Sequence, residues 1–364
     1  MKSVRTSIFL TVMVLVAIGM VMIYSASSIY AYSSMGDSLF FLKRHLIYLV
    51  VGLLMMFGAM SIDITTLKKF SKPVILLSIF LLLLVLVPHI GRETAGARRW
   101  FRIGLVNFQP SEFAKIAIII YMADLISRKG TQMKSLIHGY VPAVAVLGLM
   151  VGLILLEPDL GTAITVSLIT VIMLYVGGVR GSYIIASMLA SIPALYVLLF
   201  RVPYRRKRMM IFLNPWADKR GAGFQIIQSF VALGSGGPFG VGLGQSRQKL
   251  FYLPASHTDF IFSIIGEELG FVGSASIVVL FAIFIWQGMK IAFKTVDTFE
   301  KLVALGVVSL VALEVIINIA VTAGALPTKG LPLPFISYGG SGLIFHLAAV
   351  GLLLNIAKRS EACD

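Results

Sequence analysis

The sequence is short of charge, and shortest of acid. Asp, Glu, Lys and Arg make up 13% of its 364 residues, while 58% are hydrophobic. Soluble globular chains carry about 25% charged residues, so no soluble class fits. Sixteen acidic residues stand against 31 basic ones, for a net charge of +15. No dense acidic cluster is present, so a metal cage built from protein alone is not expected. Cys363 is the only cysteine, which excludes a disulfide within the chain, and no role is assigned to it. The chain also lacks internal repeats, heptads and low-complexity tracts. No nucleic-acid partner is expected.

What fills the chain is apolar runs of about the length that spans a bilayer core. Ten recur, at roughly 8–25, 46–62, 73–88, 112–127, 138–156, 160–177, 182–200, 260–288, 302–324 and 340–357. Backbone groups in lipid must be paired internally, so these runs are helices. The fold class is therefore an all-α polytopic membrane protein of about ten transmembrane helices. It forms one integral-membrane domain over 1–364, with a large loop at 201–258 between helices seven and eight. Lys2 and Arg5 before the first run give it the look of a signal peptide. Nine further spans favour an uncleaved anchor.

The sidedness follows from charge. With the N-terminus inside, the inner segments carry 14 Lys and Arg and the short outer loops 7. This bias predicts both termini in the cytoplasm. The 201–258 loop, then extracytoplasmic, adds nine more cations, among them Arg205, Arg208, Lys219 and Arg220. Long loops escape the charge rule. Basic charge on the outer face suggests an anionic ligand such as a lipid diphosphate, with ordinary headgroup contact as the alternative. The loop begins basic and turns Gly-rich from Gly221 to Gly244, which reads as half-embedded backbone covering a cavity. The Arg and aromatic residues of 98–108 read as an interfacial segment on the membrane surface.

Asp259 closes that loop and opens a long apolar run. A carboxylate at the mouth of a membrane helix beside many cations suggests chemistry on an anionic, membrane-bound substrate. Thr258 and Asp259 are also favoured helix caps, and the two roles can coexist. Glu112 and Lys115 lie three apart on one helix face and pair either structurally or along the cavity. Glu157 and Asp159 flank Pro158, where turn chemistry accounts for them. Glu314 stands mid-span, with Asn318 one turn on as a candidate partner. His346 is another candidate that nothing in the sequence brings near. Glu267 and Glu268, too far along the helix from Asp259 for direct catalysis, are expected to meet polar groups of other spans.

Several stretches together resemble the SEDS family (shape, elongation, division and sporulation). They are Gln109-Pro110-Ser111-Glu112-Phe113-Ala114-Lys115, Glu157-Pro158-Asp159-Leu160-Gly161-Thr162, the runs 253–262 and 266–270, and Asn318 through Ser341. The form Leu326-Pro327-Thr328-Lys329-Gly330-Leu331 looks more like the division members than the elongation members, and sporulation members share much of it. Gly342 and Glu314 depart from the pattern, where Ser or Ala and Gln are more usual. The resemblance implies a peptidoglycan glycosyltransferase that polymerises lipid II on the outer face of the bacterial cytoplasmic membrane, at the division septum. It implies a class B penicillin-binding protein and other division proteins as partners, besides lipid II and membrane lipids. It places the essential carboxylate on Asp259.

Such a reaction needs a base for the attacking sugar hydroxyl and positive charge for the departing diphosphate. Asp259 is the candidate base. Arg99, Arg205, Arg208 and Lys329 are the candidate diphosphate ligands, since Arg matches phosphate oxygens bidentately. Glu112, Lys115, Asp159, Ser256 and His257 complete the expected substrate site. A divalent cation, Mg or Mn, held by Asp259 and a further carboxylate is an alternative Lewis acid. A lipid II flippase and a non-catalytic division scaffold are the competing readings. A flippase needs access from both faces and often shows inverted repeats, whereas the polar residues here gather on one side. The topology is checked by introducing cysteine at Lys219 and at Lys134. The two labels are expected to react from opposite sides of the membrane, and labelling from one side would overturn the outer-face site.

Overall fold

The computed structural model describes residues 1–94, 97–104, 106–219, 221 and 223–363. Arg220, one of the loop cations, lies outside them. Each of the ten apolar runs is a helix. In chain order the elements are α1 (Lys2–Met35), α2 (Phe40–Ser61), α3 (Ile64–Lys69), α4 (Ser71–Leu86), strands β1 (Arg92–Thr94), β2 (Ala97–Ile103) and β3 (Val106–Phe108), α5 (Pro110–Lys129), α6 (Val141–Leu156), α7 (Leu160–Val176), α8 (Gly181–Phe200), α9 (Pro203–Leu213), α10 (Phe224–Ser235), α11 (Ile261–Lys294), α12 (Thr298–Thr322) and α13 (Ser341–Cys363). Among the described residues, seven are long and apolar enough to cross a membrane: α1, α2, α6 with its preceding turn, α8, α11, α12 and α13. The others fall short by length, as α4 and α7 do at 16 and 17 residues, or by charge, as α5 does with Glu112, Lys115, Asp124, Arg128 and Lys129.

Local chemistry sets the helix ends. Asp63, Asp159 and Asp297 each accept a backbone N–H in the first turn of α3, α7 and α12, as N-cap residues do. Pro opens α5, α6 and α9, where its missing N–H is harmless. Asp259 is not a cap. Helix α11 begins at Ile261, with Phe260 as its N-cap and no side-chain cap bond.

The connections at 36–39, 87–109, 157–159, 201–260 and 323–340 meet at one end of the bundle. Arg99 reaches the carbonyl of Glu157 at 2.6 Å, Arg208 that of Thr328 at 3.3 Å, and the Tyr338 N–H donates to His257 O at 3.0 Å. The termini and remaining turns meet at the other end, where Arg5 pairs with Glu361 at 3.2 Å and Arg359 with Asp63 and Glu300 at 3.1 Å each. Helix α12 lies at the centre, against α5, α7, α10, α11 and α13. Gly306 permits this closeness, because a Cβ there would stand 2.6 Å from Ile119 of α5. Helix α8 is peripheral, with Ile184 its sole buried residue.

Two connections differ from the sequence expectation. The expected interfacial segment at 98–108 is part of a three-stranded antiparallel sheet of order β1-β2-β3, in which aromatic and β-branched residues suit the strands. The 201–258 loop carries α9 and α10 before its irregular part. That part packs onto α11 through backbone and side-chain hydrogen bonds. It docks where α11 breaks at Gly270, whose φ of 68° suits glycine. Val241 and Gly242 donate N–H groups to the carbonyls of Glu267 and Glu268 at 3.0 and 3.1 Å. The Glu267 carboxylate accepts from Ser246 Oγ and from the Arg247 N–H at 2.9 Å. Glu268 accepts from Ser25 Oγ of α1 at 2.7 Å and from Lys249 Nζ at 2.8 Å. Only Glu268 therefore meets another span; Glu267 holds the loop.

A chain of ionisable groups crosses the bundle core. Lys115 Nζ donates to Glu112 at 2.8 Å and to Glu314 at 2.5 Å. Glu314 lies 2.6 Å from His346 Nε2, and His346 Nδ1 donates to Gly342 O at 2.6 Å. Asn318 is not the partner of Glu314, because its amide is taken by loop carbonyls at the helix end. Removing one member of a buried ionic group costs about 3–5 kcal/mol, since the rest stay buried and unpaired. Lys115→Met is accordingly expected to lower the melting temperature in detergent sharply. Glu314→Gln keeps an acceptor for Lys115 and is expected to melt close to wild type. Equal melting of Lys115→Met and wild type would show that the network does not hold the fold.

Candidate active site

Asp259 lies on a wall shared by two cavities at the loop-rich end of the bundle. One, of about 530 Å³, is lined by Leu199, Tyr204, Arg205, Arg208, Met209 and Lys329 among others. The second, of about 690 Å³, is lined by Phe41, Arg44, Trp100, Arg102, Glu112 and Tyr338 among others. Both share Arg99, Asp159, Asp259 and Gly330.

The backbone around Asp259 is held from two sides. Asn318 Nδ2 donates to Asp259 O at 3.0 Å and to Leu331 O at 2.7 Å. Ser337 Oγ donates to Thr258 O at 2.7 Å. The side chain faces Gly330, where a Cβ would stand 2.9 Å from Asp259 Oδ2. Glycine thus leaves the carboxyl its space. Burial pushes the Asp259 carboxyl up, Arg208 pulls it back and Asp159 adds to the rise, for a pKa of about 6. A carboxyl that titrates in this range is suited to accept a proton near neutral pH.

The cations are arranged to keep their charge available. Arg99 donates to the carbonyls of Glu157 at 2.6 Å and Pro158 at 2.7 Å. Burial, with Asp159 nearby and despite Arg99, raises Glu157 to a pKa of about 9. A neutral Glu157 does not compete for that guanidinium. Arg208 bonds the Thr328 carbonyl and stacks 5.8 Å from the Tyr204 ring. Arg205 is buried and donates to Tyr204 OH at 3.0 Å and Leu198 O at 3.3 Å, so it braces this wall. Burial lowers Lys329 to a pKa of about 8, against the pull of Asp159.

Asp159 caps α7 through Thr162 N–H at 3.1 Å and also accepts from Thr162 Oγ1 at 3.0 Å and from Gln109 Nε2 at 3.4 Å. Glu112 reaches the second cavity, while Lys115 stays behind it in the core. Ser256 and His257 do not reach the cleft. They line a separate cavity of about 430 Å³ with Tyr30, Lys249 and Phe251. A backbone turn at Ala255, with φ of 57°, sends them behind the wall. The His257 ring packs 4.5 Å from Phe41 and 6.0 Å from Tyr338, and burial lowers its pKa to about 4. Sequence reasoning missed Asn318, Gly330, Arg44 and Tyr338 as site residues, although three of them lie within the motif stretches already quoted.

The donor set does not make a metal centre by itself. No group of three or more His, Cys, Asp or Glu able to hold an ion occurs among the described residues. The oxygens of Asp159 are already engaged by Thr162 and Gln109.

The family model described as Cell cycle protein, FTSW_RODA_SPOVE, matches residues 5–362. A probable peptidoglycan glycosyltransferase FtsW of Geobacter sp. (strain M18) is 44% identical over 352 residues, covering 97% of this chain and 96% of that protein. The protein of the same description from Trichlorobacter lovleyi is 47% identical over 350 residues, covering 96% and 92%. Stage V sporulation protein E of Bacillus subtilis is 43% identical over 349 residues, covering 96% and 95%. Among solved structures, a chain of a peptidoglycan synthase complex that coordinates polymerization and crosslinking superposes with a TM-score of 0.80 at 31% identity over 97% of both chains. Thermus thermophilus rod shape determining protein RodA gives 0.72 at 28% identity, covering 96% of this chain and 95% of that one. The chain belongs to the FtsW/RodA/SpoVE family of cell cycle proteins.

Proposed function

We propose that the protein is a peptidoglycan glycosyltransferase that polymerises lipid II during cell division. The observation that carries this reading is Asp259 on the wall common to two cavities, with Arg99, Arg208 and Lys329 beside it. Two lipid-linked sugars must meet at one base, and two cavities that share a carboxylate suit that need. The sugar 4-hydroxyl of one substrate attacks C1 of the other. Its proton passes to Asp259, the bond from C1 to the diphosphate oxygen breaks, and undecaprenyl diphosphate leaves. Arg99, Arg208 and Lys329 stabilise the negative charge that develops on the diphosphate. Arg205 holds Tyr204 and the end of α8 in place. Glu112 offers an acceptor to a sugar hydroxyl in the second cavity. We derive no step through a divalent cation.

The membrane proposed is the bacterial cytoplasmic membrane at the septum, with both termini in the cytoplasm and the cleft outside. The positive-inside bias supports this orientation. The partner proposed is a class B penicillin-binding protein, supported by the likeness to a chain of a synthase complex.

Asp259 makes no cap bond, so Asp259→Asn is expected to fold and insert normally. Loss of a general base typically costs about a hundred- to ten-thousandfold, and lipid II polymerisation by the purified variant is expected to fall accordingly. Near-normal polymerisation would sink the assignment of Asp259. A wild-type protein that makes no polymer in detergent, even with its penicillin-binding partner and divalent metal supplied, would favour a flippase or scaffold.

The pH profile tests base and cation together. Asp259 must be deprotonated, so the rate is expected to rise as pH passes about 6. Lys329 must be protonated, so the rate is expected to fall as pH passes about 8. Lys329→Arg keeps its charge throughout and is expected to remove the fall on the alkaline side. An unchanged alkaline limb in that variant would exclude Lys329 as its source.

A further inference from the structure

A second basic cavity lies at the end of the bundle away from Asp259. It measures about 570 Å³ and is lined by Lys68, Lys69, Lys72, Arg128 and Arg359, with Asp124, Asp297 and Glu300 on its walls. The three acids are all engaged. Asp124 accepts from Ser71 Oγ at 2.9 Å and faces Arg128 at 3.6 Å. Asp297 caps α12 through the Glu300 N–H at 2.9 Å, and Glu300 pairs with Arg359 at 3.1 Å. The two arginines are thereby committed. Lys68, Lys69 and Lys72 pair with no carboxylate among the described residues, and Lys68 only stacks 5.6 Å from the Phe299 ring. Three ammonium groups without carboxylate partners around one cavity can receive an anion.

The surroundings say which anion. Lys72 begins a stripe on α4 that continues at helical spacing through Leu76, Phe80 and Leu83. These side chains are 63%, 57% and 49% exposed on a helix of a membrane-spanning bundle. Phe70, 55% exposed, adds an apolar ring beside the lysines at the helix entry. A free phosphate would use the lysines and ignore the stripe. A phospholipid uses both, with its headgroup in the cavity and an acyl chain along α4. We propose that this cavity and the α4 stripe form a binding site for one anionic phospholipid, on the face opposite the cleft. The site is independent of the glycosyltransferase reading, because it shares no residue with the cleft.

The test uses the full chain in mild detergent, read by native mass spectrometry and thermal melting with phosphatidylglycerol, phosphatidylcholine or inorganic phosphate. Phosphatidylglycerol is expected to be retained and to raise the melting temperature; phosphatidylcholine and phosphate are not. The triple variant Lys68→Gln/Lys69→Gln/Lys72→Gln is expected to bind phosphatidylglycerol about a hundredfold more weakly, from three charges of ordinary interfacial strength. The corresponding triple Lys→Arg variant keeps the charges and is expected to bind near normally, which separates binding from folding. Lys290→Gln/Lys294→Gln, at the same end of the bundle but outside the cavity, is expected to change nothing. Equal stabilisation by inorganic phosphate would overturn the lipid assignment. Full binding by the Gln triple, or an equal loss in the Lys290/Lys294 variant, would overturn the site.

Discussion

Lys115 is buried among apolar helices and is held there by two carboxylates. An ammonium in that position costs several kcal/mol unless its partners are close and well placed. Here they come from different elements: Glu112 on the same helix and Glu314 on α12, itself bound to His346 of α13. The requirement to pair every charge fixes α5, α12 and α13 at one relative height. The cleft depends on that height. Helix α5 begins beside Gln109, whose N–H donates to Ser341 Oγ at the start of α13 at 3.1 Å. Helix α12 delivers Asn318 to the floor of the site. A slip of one turn in any of the three would move its end by about 5.4 Å and separate the loops that form the cavities.

Asn318 then converts helix registry into site geometry. Its amide bonds two carbonyls, one preceding α11 and one in the 323–340 connection. The backbone of Asp259 is thereby fixed, while its carboxyl is left beside a glycine. This division suits a catalytic base. The position is preorganised by groups that take no part in proton transfer, and the oxygens remain open to a substrate hydroxyl. With a pKa near 6, the group is only a moderate base, so placement carries much of the expected rate.

What was legible in the sequence was what depends on near neighbours. Hydropathy is local, and all ten apolar runs became helices. The Glu112–Lys115 spacing is local too, and the structure pairs the two as helical geometry requires; Asp159, read as a turn residue, is the N-cap of α7. Long-range partners were not legible. Glu314 had two candidate partners, Asn318 four residues on and His346 in the last span; it meets His346 and also Lys115, which is 199 positions away in the chain. Ser256 and His257 stand within three residues of Asp259 and would share its cleft if the chain ran smoothly. The left-handed turn at Ala255 sends them to the other side of the wall. The small sheet escaped because strands of three to seven residues are too short for a clear period among Arg and aromatic residues.

The arginines named at the two ends of the bundle are used differently. At the end with the termini, Arg5, Arg128 and Arg359 are each matched by a carboxylate. Arg5 and Arg359 thereby tie elements together, while Arg128 pairs within α5. In the cleft, Arg99 and Arg208 bond backbone carbonyls, and a carbonyl orients a guanidinium without neutralising it. Lys329 makes no ion pair among the described residues. The scarcity of acid, the first property of the sequence, is therefore unevenly felt. The few carboxylates near the cleft are used otherwise: Asp159 as a cap, Glu157 in its neutral form, and Asp259 as the proposed base. A diphosphate entering the cleft meets positive charge already aimed and not yet matched, and it supplies the counter-ions that the protein does not.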